Sequence, residues 1–183
     1  INASSTSSAS DVWGGLGFAP IGTFSNFTGS LNGAGYMIDS LYINAPSSVA
    51  SVGLFGTVSN ANSVIQKFGL TNVNITGYDV QGAIIGKLDA GTLSEVYASG
   101  SMTSLRTAAS TYGFGGLVGV MTGGTISNAY NVGTLNTTAN HNTGGLVGNK
   151  SGGSITNTYN SGLVNATGGG NIGGLIGTLT NTA

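Results

Sequence analysis

Residues 114–138 read FGGLVGVMTGGTISNAYNVGTLNTT, and residues 143–167 read TGGLVGNKSGGSITNTYNSGLVNAT. The two lines share one framework. GGLVG comes first, then a short link, a Gly-Gly pair, Thr or Ser, Ile, an Asn two residues later, a Tyr and a Gly. A third copy opens at Ile172 as IGGLIG. Self-similarity at a fixed period marks a repeat architecture, in which each unit buries its apolar face only against a neighbour.

Working outward, the framework extends to VGLFG at 52–56 and GAIIG at 82–86. The closing glycines Gly56, Gly86, Gly119, Gly148 and Gly177 set a period near thirty residues. In the second half of each period Ile65, Leu93, Ile126 and Ile155 share a column, and Met102, Leu135 and Val164 share another. Phe68, Val96, Ala129 and Thr158 lie three residues after the first column. A flat strand places inward residues two apart, so a spacing of three predicts a corner at Ser127-Asn128 and Thr156-Asn157. Asn tolerates the left-handed backbone that such a corner needs. Charged helix formers are almost absent, and β-branched residues between glycines dominate.

The fold predicted is all-β, a right-handed parallel β-helix (β-solenoid) of about six coils, roughly 30 residues each. At one strand spacing per coil it is a rod on the order of 30 Å long. Residues 1–12 form a linker or lead-in strand, and residues 13–183 the single solenoid domain. Leu54, Ile84, Leu117, Leu146 and Leu175 fill the core. Trp13 and Phe18 cap its first layer, Asn32-Gly33 makes a turn, and one strand runs from Met37 to Asn44. Lys67 and Glu95 fall in the Asn128/Asn157 column, and are expected to stack as an exposed ion pair worth about 0–1 kcal/mol. The two Asn side chains are expected to form a ladder.

These motifs resemble the GLUG repeat. GGLVG followed by Gly-Gly-[Thr/Ser]-Ile-x-Asn-x-Tyr carries the resemblance, and residues 27–43 are similar to the segment that precedes such repeats. The resemblance covers about residues 13–180, with Ala83 and the stretch 60–72 as departures. It implies an exported β-helix, as in filamentous-haemagglutinin-type adhesins of two-partner secretion systems and related large surface proteins. The expected location is extracellular or at the bacterial cell surface.

Composition excludes several functions. Charged residues are 5% of the chain and net charge is −1, so no basic surface meets a phosphate backbone or an anionic membrane. No apolar run is long enough for a spanning helix, and the start lacks the pattern of a signal peptide. Cys is absent, which removes disulfides and most zinc schemes. The acids Asp11, Asp39, Asp79, Asp89 and Glu95 do not pair at short spacing, and no catalytic set, metal site or cofactor is expected. His141 reads as an exposed loop residue.

Three sets of residues remain as candidates. The irregular insert 99–112 carries Arg106, the chain's only Arg, with Thr107 and Tyr112, and is a candidate contact loop. A short Gly-Ser turn in its place is expected to leave the fold intact. Tyr97, Tyr130 and Tyr159 make an aromatic column, either a sugar- or protein-binding face or simply rings stacked on one another. Asn2, Asn26, Asn74, Asn136 and Asn165 stand in Asn-x-Ser/Thr triplets, candidate glycosylation acceptors. Thr76, Thr103, Thr137 and Thr167 keep no single register, which argues against an ice-binding Thr ladder. The expected role is a structural or adhesive, non-enzymatic module that meets other protein chains or surface glycans. Self-assembly through open solenoid ends is the alternative, and a polysaccharide-active enzyme comes third.

Overall fold

The computed structural model describes residues 1–46, 49–107, 112–138 and 141–180. Three parallel sheets run side by side along one axis. The longest contains Leu31–Asp39, Val64–Gly77, Thr92–Ser104, Thr125–Asn131 and Ser154–Asn160, extended by Tyr42–Ala45, Thr134–Thr137 and Val164–Ala166. A second contains Phe55–Val58, Ile85–Leu88, Val118–Met121, Val147–Lys150 and Ile176–Leu179. The third contains Ser51–Val52, Val80–Gly82, Gly113–Gly115, Asn142–Gly144 and Ile172–Gly173. The chain visits all three in turn, giving a β-solenoid of about five turns of about 29 residues.

The register follows the sequence columns. Ile65 pairs with Leu93, Leu93 with Ile126 and Ile126 with Ile155. Met102 pairs with Leu135, and Leu135 with Val164. Ile84, Leu117 and Leu146 are fully buried, while Leu175 in the last turn is partly covered. Burying one such side chain stabilises the fold by roughly 1.5–3 kcal/mol.

The corner lies where the column spacing placed it. Lys67, Glu95, Asn128 and Asn157 all have φ between 50° and 59°, the left-handed region. It is a bend inside hydrogen-bonded strands, not a break between them. Asn157 Nδ2 donates to Asn128 Oδ1 at 3.3 Å, so the ladder forms. Lys67 and Glu95 share the column but, among the described residues, make no ion pair. Ordering two exposed long side chains costs about what the pair would return.

A buried asparagine locks the next position. Asn131, 2% exposed, accepts from Gly133 N–H and donates to Gly133 O. A Cβ on Gly116 would lie 2.5 Å from Asn131 Nδ2, and one on Gly145 2.2 Å from Asn160 Nδ2. The second glycine of GGLVG therefore makes room for the amide of its own coil. Where Ala83 replaces that glycine, the matching column residue is Ala98.

Three expectations are corrected. The first thirty residues do not form a coil of their own, which leaves about five turns and not six. They cover the start of the solenoid through isolated bridges: Asn2 to Asp39, Gly17 to Ile43, Ile21 to Phe55 and Phe27 to Val58. Phe18 packs on the core and lies 5.3 Å from the Trp13 ring. Asn32-Gly33 is not a chain-reversing turn but sits inside Leu31–Asp39, at a bulge between Asn32 and Tyr36. Ser40, at φ 61°, divides the strand expected from Met37 to Asn44.

Candidate functional site

The irregular chemistry gathers at one corner, where the long sheet passes the chain to the third. Successive coils cross it at residues 77–80, 104–113 and 137–142. Backbone between paired strands is free to vary in length, so insertions collect there. The expected insert is shorter than 99–112, because Ser99–Ser104 still belong to the strand. Residues 108–111 lie outside the described residues.

Arg106 is built into this corner. Its Nη1 donates to Asp79 Oδ1 from the preceding coil. The guanidinium carbon lies 5.2 Å from the Tyr78 ring centroid and 4.6 Å from that of Tyr112. The planar cation thus contacts two aromatic rings while holding one carboxylate, which suits Arg far better than Lys. Its side chain is 17% exposed. Arg106 is accordingly held within the chain, and a short Gly-Ser turn in place of its loop would remove these contacts. Thr107 is exposed beside it.

His141 corrects the sequence reading most sharply. It is 3% exposed, not a solvated loop residue. Its Nε2 lies 3.0 Å from Thr137 Oγ1 and 3.1 Å from Ser104 Oγ, and its Nδ1 3.3 Å from Thr143 Oγ1. The ring meets Phe114 edge-on at 5.7 Å between centroids. Burial holds the imidazole below the usual histidine range, a hydrogen bond with the Asn142 backbone opposes this, and the Arg106 charge adds to the lowering. Ser104, Thr137 and Thr143 are themselves buried. The corner is therefore a cluster of buried polar side chains set beside the apolar core. A serine bonded to a histidine invites comparison with a nucleophile and its base, but Nδ1 meets a hydroxyl where an orienting carboxylate would be needed.

The tyrosines form the expected column. Tyr97 and Tyr130 are stacked at 5.1 Å and 4°, Tyr130 and Tyr159 at 4.9 Å and 3°. A Cβ on Gly69 would lie 2.2 Å from Tyr97 Cζ, so the column closes over that glycine. Both faces of Tyr130 are occupied by neighbouring rings. The strip presents ring edges and hydroxyls, whereas sugar stacking needs open faces. Desolvation raises the Tyr130 pKa, with Tyr159 and Tyr97 adding to the shift. Beside Tyr97, a shallow groove is lined by Lys67, Glu95 and Phe68.

The other candidates are distributed. Asp39 accepts from Thr71, Ser40 and Asn72, and these bonds lower its pKa. Asp89 pairs with Lys87 and accepts from Thr122. Among the described residues no three metal-ligating side chains come together. Asn2, Asn26, Asn74 and Asn165 are exposed and Asn136 is half-buried. Asn165 Nδ2 donates to Asn136 Oδ1 at 3.1 Å, so those two amides are already engaged.

Among known proteins, Halomucin from Haloquadratum walsbyi is 39% identical over 122 residues, 66% of this chain. The chain spans about 1% of that relative's length. No protein-family model and no solved structure matches the chain, so the GLUG resemblance stands on the motif itself.

Proposed function

We propose that this chain is a rigid rod segment of a long surface or extracellular protein, structural in the first place and adhesive through its corner loops or one lateral face. The observation that carries this reading is the parallel stack of identical columns through about five turns. Such a stack has no hinge within it, and gives a spacer of defined length. The match to a stretch of a very long protein whose name denotes a mucin supports the setting. Halomucin's own length fits a use in which many such segments follow one another. The exposed partners are other protein chains or surface glycans, met by uncharged Asn, Ser, Thr and Tyr groups. The reading is non-enzymatic, supported by Asp39, Asp79 and Asp89, which are tied into ion pairs or hydrogen bonds. Small-angle scattering tests the rod, and a glycan array with a depolymerisation assay tests the role. A rigid particle whose coil axis is about 24 Å long, one strand spacing for each of about five turns, and which binds glycan without cleaving it, is expected. A flexible particle, or release of reducing ends, would overturn the reading.

A second reading, self-assembly into filaments, is favoured by the last turn, where Leu163, Leu179 and Ile172 are 62%, 64% and 45% exposed. Strand edges left without partners recruit other strands. Against it, residues 1–30 bridge to the opposite end of the stack, which leaves less free edge for head-to-tail joining. Light scattering across concentration separates the two, with fibres expected from the filament reading alone.

A further inference from the structure

We propose that His141 is an acid-sensitive latch that keeps the polar corner closed, and that its protonation opens this corner while the sheets stay intact. The inference rests on the corner's own packing and not on the rod reading.

The neutral imidazole is well served where it sits. Hydroxyls both donate and accept, so Thr137, Ser104 and Thr143 satisfy either tautomer. The imidazolium keeps acceptors for its N–H groups in these hydroxyls and the Asn142 backbone, but its charge has no counter-charge among the described residues. It would be a charge 3% exposed, with the Phe114 ring centroid 5.7 Å away. The charged and titratable groups that face it from the neighbouring crossings are few. From residues 104–113 come Arg106, a cation, and Tyr112 against it; from 77–80 come Tyr78 and Asp79. Asp79 is committed to Arg106, and among the described residues no other carboxylate is placed to meet the ring. The crossing of the next coil offers backbone at Gly170, whose Cβ would lie 2.2 Å from His141 O.

Protonation therefore adds a buried cation to a corner that already holds one. The contacts released are side-chain contacts of His141 and the Asn142 N–H bond to Tyr112 O at 3.2 Å, one local link between two crossings. That bond is the first rung between Gly113–Gly115 and Asn142–Gly144, and the remaining ladder bonds of the three sheets do not depend on these contacts. Phe114, fully buried in the closed corner, would become accessible beside the already exposed Tyr112, so the surface offered to a partner would change with acidity.

Hydrogen exchange on the full chain, followed by mass spectrometry from about pH 7.5 to about pH 4.5 and corrected for intrinsic rates, tests this beside His141→Gln. Peptides covering 104–107 and 137–143 should open as pH falls below 6.5, the unperturbed histidine value, by up to about tenfold per pH unit. Peptides over 118–131 should stay protected, and His141→Gln should show no pH dependence at the corner. Should that variant fail to fold, the imidazole pKa of the native chain by NMR decides, and a value at or above 6.5 overturns the proposal. Exchange independent of pH, simultaneous opening of the whole stack, or the same pH dependence in His141→Gln would overturn it equally.

Discussion

Asn131 and Asn160 occupy the same position on successive coils, and Asn131 Nδ2 donates to Asn160 Oδ1 at 2.9 Å across 29 residues of sequence. Each amide also bonds the N–H and C=O of the glycine two residues on. One side chain therefore satisfies a bend in its own coil and grips the next. Asn131→Ala should leave the Gly133 groups without partners and cost about 1–3 kcal/mol in urea unfolding. Asn160→Ala should cost less, because Asn160 is only partly buried.

Arg106→Ala should destabilise the chain by about 2 kcal/mol, through loss of the Asp79 pair and both aromatic contacts. Arg106→Lys should recover less than half, since an ammonium cannot lie flat on two rings. Thermal unfolding of the three proteins checks this. Equal stability of all three would show that the clamp is decorative.

The tyrosine column makes a prediction at high pH. The Tyr130 pKa is raised above 10.0 in the folded chain. Below that value both states are neutral and nothing is lost. As pH rises through it, the unfolded state ionises first, so stability falls. Tyr130→Phe should flatten this alkaline loss, and ultraviolet titration should show one tyrosinate fewer among those that form late.

Asp39 works in the opposite direction. Its pKa is lowered from 3.8 by bonds from Thr71, Ser40 and Asn72. The stability it adds is complete above 3.8 and disappears as pH falls through the lower folded value. Asp39→Asn should remove that acid dependence and loosen the first coil, read as faster exchange in 1–10 and 31–45.

Much of the fold was legible because it is periodic. Gly115 illustrates why: a Cβ there would lie 2.0 Å from Val118 O, so the glycine recurs in every tight turn of this kind. The Asn128 column was readable from its spacing, and its left-handed φ follows. Asn131 was readable too, since it follows the Tyr in both copies, but a second Asn in an Asn-rich chain draws little notice. The corner was only partly legible. Arg106 meets Asp79 across 27 residues, the offset of the ladder pairs Asn74–Ser101 and Gly77–Ser104 just before it, so that pair lay in register; His141 meets Ser104 across 37, which matches no ladder offset. Where crossings differ in length, neighbours in space share no column. A single His between two Asn residues then looks like any solvated loop.

The pairing of Gly116 with Asn131, and of Gly145 with Asn160, lies within one coil each time. A gene segment encoding one such coil therefore carries both halves of its lock when it is copied. Tandem duplication in frame at this unit yields a coil that fits at once, whereas a join that set Ala83 before Asn131 would press a Cβ against the buried amide. The chain's geometry thus favours growth and loss by whole coils, and length becomes a trait that can drift without disturbing the fold.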